Sequence, residues 1–346
     1  MLNTNKELQI KIEGFNQKMR QKYDGRANLS SKELKELLAK KIGKISKIDR
    51  ISSKDLKEIF SAKGSLVGVD GSVNTVGKVY PHYITLMQAL AKSTDQSEDG
   101  VLISQIFSPL IEEDKDRIFK IMNVANRSEA GEDSKEGKIY AQEAAGRLKS
   151  SLLAALEAKV AIESIKSWNP KVILMDGSLI RYRMQAQKEW EELSSLALDK
   201  GTLIIGVIEE IGTHKISEAL DDDLPENMRD MYDRELTFGL LEVGEMLELD
   251  NIEEKEGLRT AFIRNSKDPG VIALDLLKDQ SGSLELAASL VHTLTPEDGR
   301  GIPVWLDIVD EEVRIGNGMM KMLVDNHLDP KLKYRLFHSK RLDRVY

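Results

Sequence analysis

Between residues 3 and 63, apolar positions recur every three or four residues among lysines: Leu34, Leu37, Leu38, Ile42 and Ile45. This spacing places them on one face of a helix. We therefore predict that residues 3–63 are helical, with helix N-caps in the run 28–31 because it contains Asn and Ser.

Further along, short apolar runs alternate with helical patterns. We predict strands over residues 65–69, 101–107, 171–175, 203–208, 260–264 and 270–274. We predict helices over 139–168, 179–199, 283–294 and 303–326, a mainly helical stretch over 213–247 broken near 221–225, and a surface loop over 126–138. Asn169-Pro170 stops the first of these helices. Alternating strands and helices indicate an α/β fold with a mixed sheet flanked by helices.

Composition narrows the possible chemistry. The chain has 346 residues and no cysteine, which excludes disulfides, thiol nucleophiles and cysteine-ligated metals. It has no run of 18 apolar residues, so we expect no membrane span, and its first residues lack the apolar segment of a secretory signal. We therefore expect a cytoplasmic protein.

Charge is unevenly distributed along the chain. The net charge is −8, yet residues 1–64 hold 16 Lys and Arg against 8 Asp and Glu, and residues 331–346 hold six against one. We predict a basic helical N-terminal arm over 1–64, a catalytic domain over 65–330 and a basic C-terminal tail over 331–346. A chain with basic ends and an acidic middle suits an enzyme that binds phosphates. Solvated helix faces explain the basic stretches equally well.

One sequence unit occurs twice. LVGVDGS at 66–72 and VILMDGS at 172–178 each place an aspartate where an apolar strand ends. Gly permits a sharp turn there, and Ser can cap the next element. Because ligands gather at the carboxyl ends of strands in α/β sheets, two such strands side by side would bring Asp70 and Asp176 together.

Two neighbouring carboxylates are suited to Mg²⁺ or Mn²⁺, and a pair of such ions stabilises the attacking and leaving oxygens in phosphodiester hydrolysis. Without a cation the aspartates repel, so at least one pKa should rise. A purely structural role is also open, since Asp-Gly after a strand is a common turn.

These motifs together resemble the NurA family of nucleases. The resemblance rests on VGVDGS, on ILMDGSL about a hundred residues later with a Glu-bearing helix just before it, and on RGIP at 300–303 with an acidic position downstream. It covers residues 65–325. It implies a ribonuclease-H-like core, cleavage of DNA that depends on manganese or magnesium, and single-strand endonuclease and 5′-to-3′ exonuclease activity. It also implies a homodimer that works with a HerA-type hexameric helicase–translocase in DNA end resection and repair.

The resemblance assigns Asp70 and Asp176 as the two family aspartates. The family glutamate falls on Glu157, with Glu143 as a competitor and Glu163 as a weaker one. Near the C-terminus the acidic position falls on Asp310, with Asp307 three residues before it as an alternative. Asp70, Glu157, Asp176 and Asp310 are therefore the expected catalytic and metal-binding residues, with two ions expected.

Basic and aromatic residues near these motifs are candidates for DNA contact. Arg181 and Arg183 can form forked bonds to phosphate, and Tyr182 between them can stack on an unpaired base, although ion pairs on a helix face explain the arginines equally well. The further candidates are Lys215 and Arg300, with Arg259 and Arg264. We expect His214 and His292 to be surface or core residues, and Trp305 to serve core or dimer packing.

Two other functions stay open. An actin-like ATPase or sugar kinase also places Asp-Gly turns after strands, but the chain has no convincing glycine-rich phosphate loop. A non-catalytic partner of a DNA translocase would keep the fold without cutting, and the presence of both aspartates argues weakly against it.

Overall fold

The computed structural model describes residues 6–23, 29–61, 65–95, 99–124, 134–251 and 257–337. The strands in these ranges are β1 Ile45–Lys47, β2 Leu66–Val79, β3 His82–Ser93, β4 Val101–Phe107, β5 Val172–Asp176, β6 Leu203–Ile208, β7 Glu245–Glu248, β8 Leu258–Ile263 and β9 Ile272–Leu277. The α-helices are α1 Lys6–Tyr23, α2 Ser31–Lys41, α3 Ser53–Ser61, α4 Glu112–Val124, α5 Lys135–Trp168, α6 Leu179–Gln185, α7 Gln187–Lys200, α8 Lys215–Ala219, α9 Asp233–Thr237, α10 Leu284–Leu294, α11 Val304–Val313, α12 Asn317–His327 and α13 Pro330–Phe337.

These elements form two compact units. The first unit comprises Met1–Ile51 and Val207–Pro303, and the second comprises Ser52–Gly206 and Val304–Tyr346. The second unit has the strand order β6-β5-β2-β3-β4. In it β2 runs parallel to β5 and antiparallel to β3, which is antiparallel to β4. Helices α5 and α11 pack against β2 and β3. The predicted class, a mixed α/β fold, is confirmed.

The first unit contains the order β1-β7-β8-β9, in which each neighbouring pair is antiparallel. Leu34, Leu38 and Ile42 are buried in its core, as their helical spacing predicted. Ser30 caps α2 with a capping box to Glu33, which agrees with the predicted start of this helix. Residues 31–51 are therefore part of this unit. The division into a basic helical arm over 1–64 and a domain over 65–330 stays a prediction.

The largest difference from the predicted elements is a long hairpin. The predicted strand over 65–69 continues to Val79 and pairs with β3, which was not predicted. Along β3 every second residue is buried and most of the others are half-buried. Its alternation of apolar and polar side chains is therefore too weak for a clear strand signal.

Helix boundaries also differ. The predicted helix over 179–199 is two helices, because Ala186 has non-helical φ and ψ of −141° and 51°. The predicted helix over 303–326 is interrupted before Gly316, which is extended and begins α12. The stretch 213–247 contains short helices and enters β7.

Two predicted segments lie partly outside the described residues. Of the predicted loop over 126–138, residues 126–133 lie outside, and α5 already begins after Ser134, whose side chain accepts a hydrogen bond from Gly137 N. Of the predicted tail, residues 331–337 belong to α13 and 338–346 lie outside the described part. Within the described ranges, no helix combines the length and the apolar character that crossing a membrane requires.

The packing of α2 gives a testable prediction. Replacing Leu38, which is 0% exposed, by Ala should lower the free energy of unfolding by about 2–5 kcal/mol, because it removes buried methyl groups and leaves a cavity. The matched control is Leu8→Ala in α1, where the leucine is 56% exposed. Denaturant unfolding followed by circular dichroism measures both. Equal effects of the two substitutions would contradict the placement of α2 in the core.

Candidate active site

The two aspartates of the repeated motif lie on neighbouring parallel strands. β2 and β5 pair with Val69 opposite Met175, so Asp70 and Asp176 are the next residues on the two strands. Adjacent strands lie about 4.8 Å apart, which places the two aspartate backbones side by side. The structure therefore brings together the two aspartates that the sequence singled out.

Glycine has a different role in each motif. Gly177 has a φ of +99° and makes the predicted turn after β5. Gly71 lies inside β2, so the predicted turn after Asp70 is wrong. A Cβ atom on Gly71 would lie 2.5 Å from Oε1 of Glu157 and 2.9 Å from Cδ1 of Leu153. Glycine is required there because α5 approaches the strand closely.

The two serines do not act as helix caps. The Oγ atom of Ser72 accepts a hydrogen bond of 2.8 Å from the backbone N–H of Ile315, which follows α11. Ser178 occupies the N-cap position of α6, but its hydroxyl makes no capping hydrogen bond. Ser72 therefore ties β2 to the chain after α11, a role that only the folded structure shows.

The candidate glutamate lies on α5. Glu157 is 2% exposed, and it is one of the charges that raise the pKa of Asp70. Glu143 is exposed and lies about 21 Å away along the helix, at 1.5 Å per residue. Glu163 is also exposed and forms an ion pair of 3.1 Å with Lys166. The position of Glu157 favours it over both alternatives.

Two residues of α6 hold Glu157. The hydroxyl of Tyr182 donates a hydrogen bond of 2.6 Å to Oε2 of Glu157, and the Arg181 guanidinium donates to the same oxygen and to the tyrosine hydroxyl. Burial raises the pKa of Glu157, and Arg181 and Tyr182 oppose that rise. Tyr182 is 0% exposed. Its predicted role as a base-stacking residue is therefore wrong, because its buried ring presents no face to a nucleic acid.

Asp310 approaches Asp70 from α11. Its charge is one of those that raise the pKa of Asp70, which favours Asp310 over Asp307 as the C-terminal acidic residue of the site. Asp310 accepts a hydrogen bond of 2.6 Å from Arg314, and this pairing raises the pKa of the arginine. Arg314 was missed in the sequence, although its spacing of four residues after Asp310 was a usable signal.

The acidic side chains interact strongly with one another. The pKa of Asp70 is raised from 3.8 to about 7, first by burial and then by the negative charge of Asp176. Glu157 and Asp310 add smaller increases, and the backbone N–H of Gly71, which donates a hydrogen bond of 2.7 Å to Asp70, lowers the value. The rise in pKa expected for two adjacent aspartates is thus found at Asp70.

The donor chemistry fits a divalent cation. Asp70, Glu157, Asp176 and Asp310 offer hard carboxylate oxygens, and like charges at close range repel unless a cation lies among them. In the described residues, however, no group of three or more acidic, His or Cys side chains is already arranged to hold a metal ion. Oε2 of Glu157 is engaged by Arg181 and Tyr182, which is one reason. The observations that fit a cation are therefore the donor type and the electrostatic effect of these carboxylates on Asp70.

The other predicted DNA-contacting residues lie in different surroundings. Arg183 is half-buried on α6 in the second unit. Lys215 and Arg300 belong to the first unit. Lys215 begins α8, and the exposed Arg300 forms an ion pair of 2.6 Å with Glu209. The contact of each with DNA stays a prediction.

The remaining candidates have structural partners. Arg259 forms an ion pair of 3.1 Å with Glu248, and the guanidinium of Arg264 donates to three backbone carbonyls, those of Leu241, Lys267 and Asp268. His292 is buried and its pKa is lowered, mainly by that burial. The ring of His214 lies 3.9 Å from the ring of Tyr232. Trp305 packs against the buried cluster Leu90, Val309 and Val313, which is the predicted core role.

Comparison with known proteins finds one family model and similar solved structures. The family model of the NurA domain matches residues 64–315. The crystal structure of the NurA nuclease from Sulfolobus solfataricus is similar at a TM-score of 0.55 and 14% identity, over 97% of this chain and 98% of that one. The Bacillus subtilis endonuclease V structure has a TM-score of 0.38 at 16% identity, over 82% of this chain and 98% of that one. No curated protein sequence matches the chain significantly.

Fold and site together define a mixed α/β protein with carboxylates converging beside adjacent parallel strands. The chain belongs to the NurA family, since the family model covers most of its length. The mixed sheet flanked by helices that the resemblance implied is confirmed, and the fold is similar to that of the Sulfolobus nuclease. Family and fold support a nuclease.

The close approach at Gly71 generates a prediction. Gly71→Ala should push the carboxylate of Glu157 away from β2, because the new Cβ would lie 2.5 Å from Oε1. We expect nuclease activity to fall by about tenfold or more, as when a partner that orients a metal ligand is lost. Gly146→Ala, on α5 with nothing within 4 Å of its Cβ position, is the control. Unchanged activity of the Gly71 variant would contradict the need for glycine.

The raised pKa of Asp70 predicts a pH-dependent stability. The folded protein keeps a proton that the unfolded chain releases between pH 3.8 and about 7. The stabilisation from this proton is complete below 3.8 and is lost as the pH rises through 7. The Asp70→Asn variant does not titrate at residue 70 in this pH range. In EDTA, its unfolding midpoint should therefore rise relative to wild type between pH 4 and 7 and then level off; a constant difference across this range would argue against the raised pKa.

Proposed function

We propose that this protein is a metal-dependent deoxyribonuclease that hydrolyses phosphodiester bonds at the acidic centre of its second unit. The observation that carries the proposal is the combined effect of Asp176, Glu157 and Asp310 on Asp70, whose pKa their charges raise in addition to burial. Family membership supports the same chemistry. Carboxylates that converge in a nuclease fold are suited to binding Mn²⁺ or Mg²⁺.

In this proposal the four carboxylates hold Mn²⁺ or Mg²⁺, with two ions expected. When bound, these ions supply Lewis-acid activation of water and neutralise the charge that develops on the phosphate. The protein's own contribution is to orient the oxygens. The N–H of Gly71 fixes Asp70, Tyr182 fixes Glu157 and Arg314 fixes Asp310.

Basic residues around the centre would position the DNA strand. Arg314 is 54% exposed at its side chain, so it can reach a phosphate while it orients Asp310. We propose Arg314 and Arg183 as phosphate contacts of the second unit. Lys215 and Arg300, which belong to the first unit, stay proposed DNA contacts of that unit. Arg181 is already committed to Glu157, so its contribution to DNA binding would be indirect.

The type and direction of cleavage, the oligomeric state and the partner are proposed from the family resemblance. We propose cleavage of single-stranded DNA as an endonuclease and of DNA ends as a 5′-to-3′ exonuclease, in DNA end resection. We further propose that the protein acts in the cytoplasm as a homodimer together with a HerA-type hexameric translocase. The Sulfolobus relative is itself described as a NurA nuclease.

Cleavage of end-labelled single-stranded DNA by purified protein tests the proposal. Activity should require Mn²⁺ or Mg²⁺ and disappear in EDTA. Asp70→Ala and Asp176→Ala should each lower the rate by more than about a hundredfold, because loss of a direct ligand exceeds the 10–100-fold cost of losing its support. Asp310→Ala and Glu157→Gln should also be strongly impaired.

The matched controls replace two acidic residues that were the alternatives to Asp310 and Glu157. Asp307→Ala and Glu163→Gln remove carboxylates of the same helices as Asp310 and Glu157, and we expect near wild-type cleavage from both. Wild-type protein that fails to cut, alone or with a translocase, would favour a non-catalytic partner. Metal-dependent cutting that survives both aspartate substitutions would mean that the active site lies elsewhere.

A further inference from the structure

The two oxygens of the Glu157 carboxylate have different surroundings. Oε2 accepts hydrogen bonds from the Tyr182 hydroxyl, at 2.6 Å, and from Arg181. Oε1 lies against β2, 2.5 Å from the position of a Cβ on Gly71. One oxygen is therefore held by α6, and the other is directed to the strand that carries Asp70.

Tyr182 has little freedom to move. It is 0% exposed, and its ring stacks on that of Trp190 at a centroid distance of 6.3 Å and an angle of 16°. Its hydroxyl also lies 3.4 Å from the backbone carbonyl of Asp176. The phenol thus lies between Glu157 on α5 and the end of β5, in contact with two of the elements that carry the acidic centre.

Arg181 supplies the charge that a buried carboxylate needs. Its guanidinium contacts Glu157 and donates a hydrogen bond of 2.9 Å to the Tyr182 hydroxyl. The cation and the phenol share Oε2, so two donors hold this one oxygen of the carboxylate. Both of these hydrogen bonds end at Oε2, and neither involves Oε1.

We propose that Tyr182 and Arg181 are positioning residues, which hold Oε2 of Glu157 so that Oε1 is presented to a divalent cation as a single-oxygen ligand. The inference rests on the proposed function and deepens it, since it assigns these two residues to orienting a metal ligand instead of binding DNA. A partner that orients a ligand typically contributes 10–100-fold in metal affinity.

A purely structural role for Tyr182 makes a different prediction. A buried tyrosine that only packs would change the stability of the protein but leave the metal affinity of the folded protein unchanged. Tyr182→Phe keeps the ring that stacks on Trp190 and removes only the hydroxyl. This substitution therefore separates the two roles.

The experiment is calorimetric titration of Mn²⁺ into metal-free protein without DNA. For Tyr182→Phe we expect a Kd weaker than wild type by about 10–100-fold. The Mn²⁺ concentration for half-maximal cleavage should rise by the same factor, and saturating Mn²⁺ should restore most of the kcat. Glu157→Ala, which lacks the ligand itself, should not be restored.

Tyr83→Phe is the matched control. Tyr83 is a buried tyrosine on β3 whose ring packs against Phe107, and its hydroxyl has no role in the proposal. We expect wild-type Mn²⁺ affinity for this variant. If Tyr182→Phe does not fold, Arg181→Lys is the second variant, because lysine keeps the charge but lacks the guanidinium Nη2 atom that contacts both Oε2 and the phenol.

The outcomes separate this inference from the proposed function. Wild-type protein that binds Mn²⁺ together with a folded Tyr182→Phe of equal affinity would overturn the positioning role and leave the nuclease proposal intact. If Tyr182→Phe is unfolded, an unchanged affinity in Arg181→Lys would have the same meaning. Wild-type protein that binds no Mn²⁺ would overturn both.

Discussion

Electrostatic repulsion among carboxylates is the constraint on which the rest of the second unit depends. The parallel pairing of β2 and β5 places Asp70 next to Asp176, in a position where burial already disfavours charge. Such an arrangement costs stability unless something opposes it. The pKa of Asp70, raised to about 7, reflects this repulsion together with burial. A divalent cation bound among these carboxylates would relieve the repulsion.

The surrounding elements both create and moderate this repulsion. Helix α5 adds the buried Glu157 and is able to do so only because residue 71 has no side chain. Helix α6 then supplies Arg181 and Tyr182, which neutralise and orient the glutamate. On α11, Asp310 is paired with Arg314 in a comparable way. Each added carboxylate is thus accompanied by a basic partner, either from a neighbouring helix or from the residues just after its own helix.

The similarity to the Sulfolobus nuclease shows how little the fold depends on overall sequence. The two chains are similar over almost their full lengths at 14% identity. The requirement in this chain is more local: an aspartate inside one central strand, a second at the end of its parallel neighbour, and a small residue where α5 crosses. Most other positions need only to be apolar and of suitable size, and many sequences meet that condition.

Local sequence determined the parts that depend on neighbours along the chain. The apolar runs of β5 and β6, the stop at Asn169 and the helical face of Leu34 and Leu38 follow from periodicity and backbone chemistry. The repeated motif was by itself sufficient to single out both aspartates. The tertiary structure alone decided that β2 continues through Gly71, that Glu157 is the buried glutamate and that Tyr182 faces it. The physical reason is that burial and charge proximity arise between residues distant in sequence, whereas periodicity reports only which face of an element is apolar.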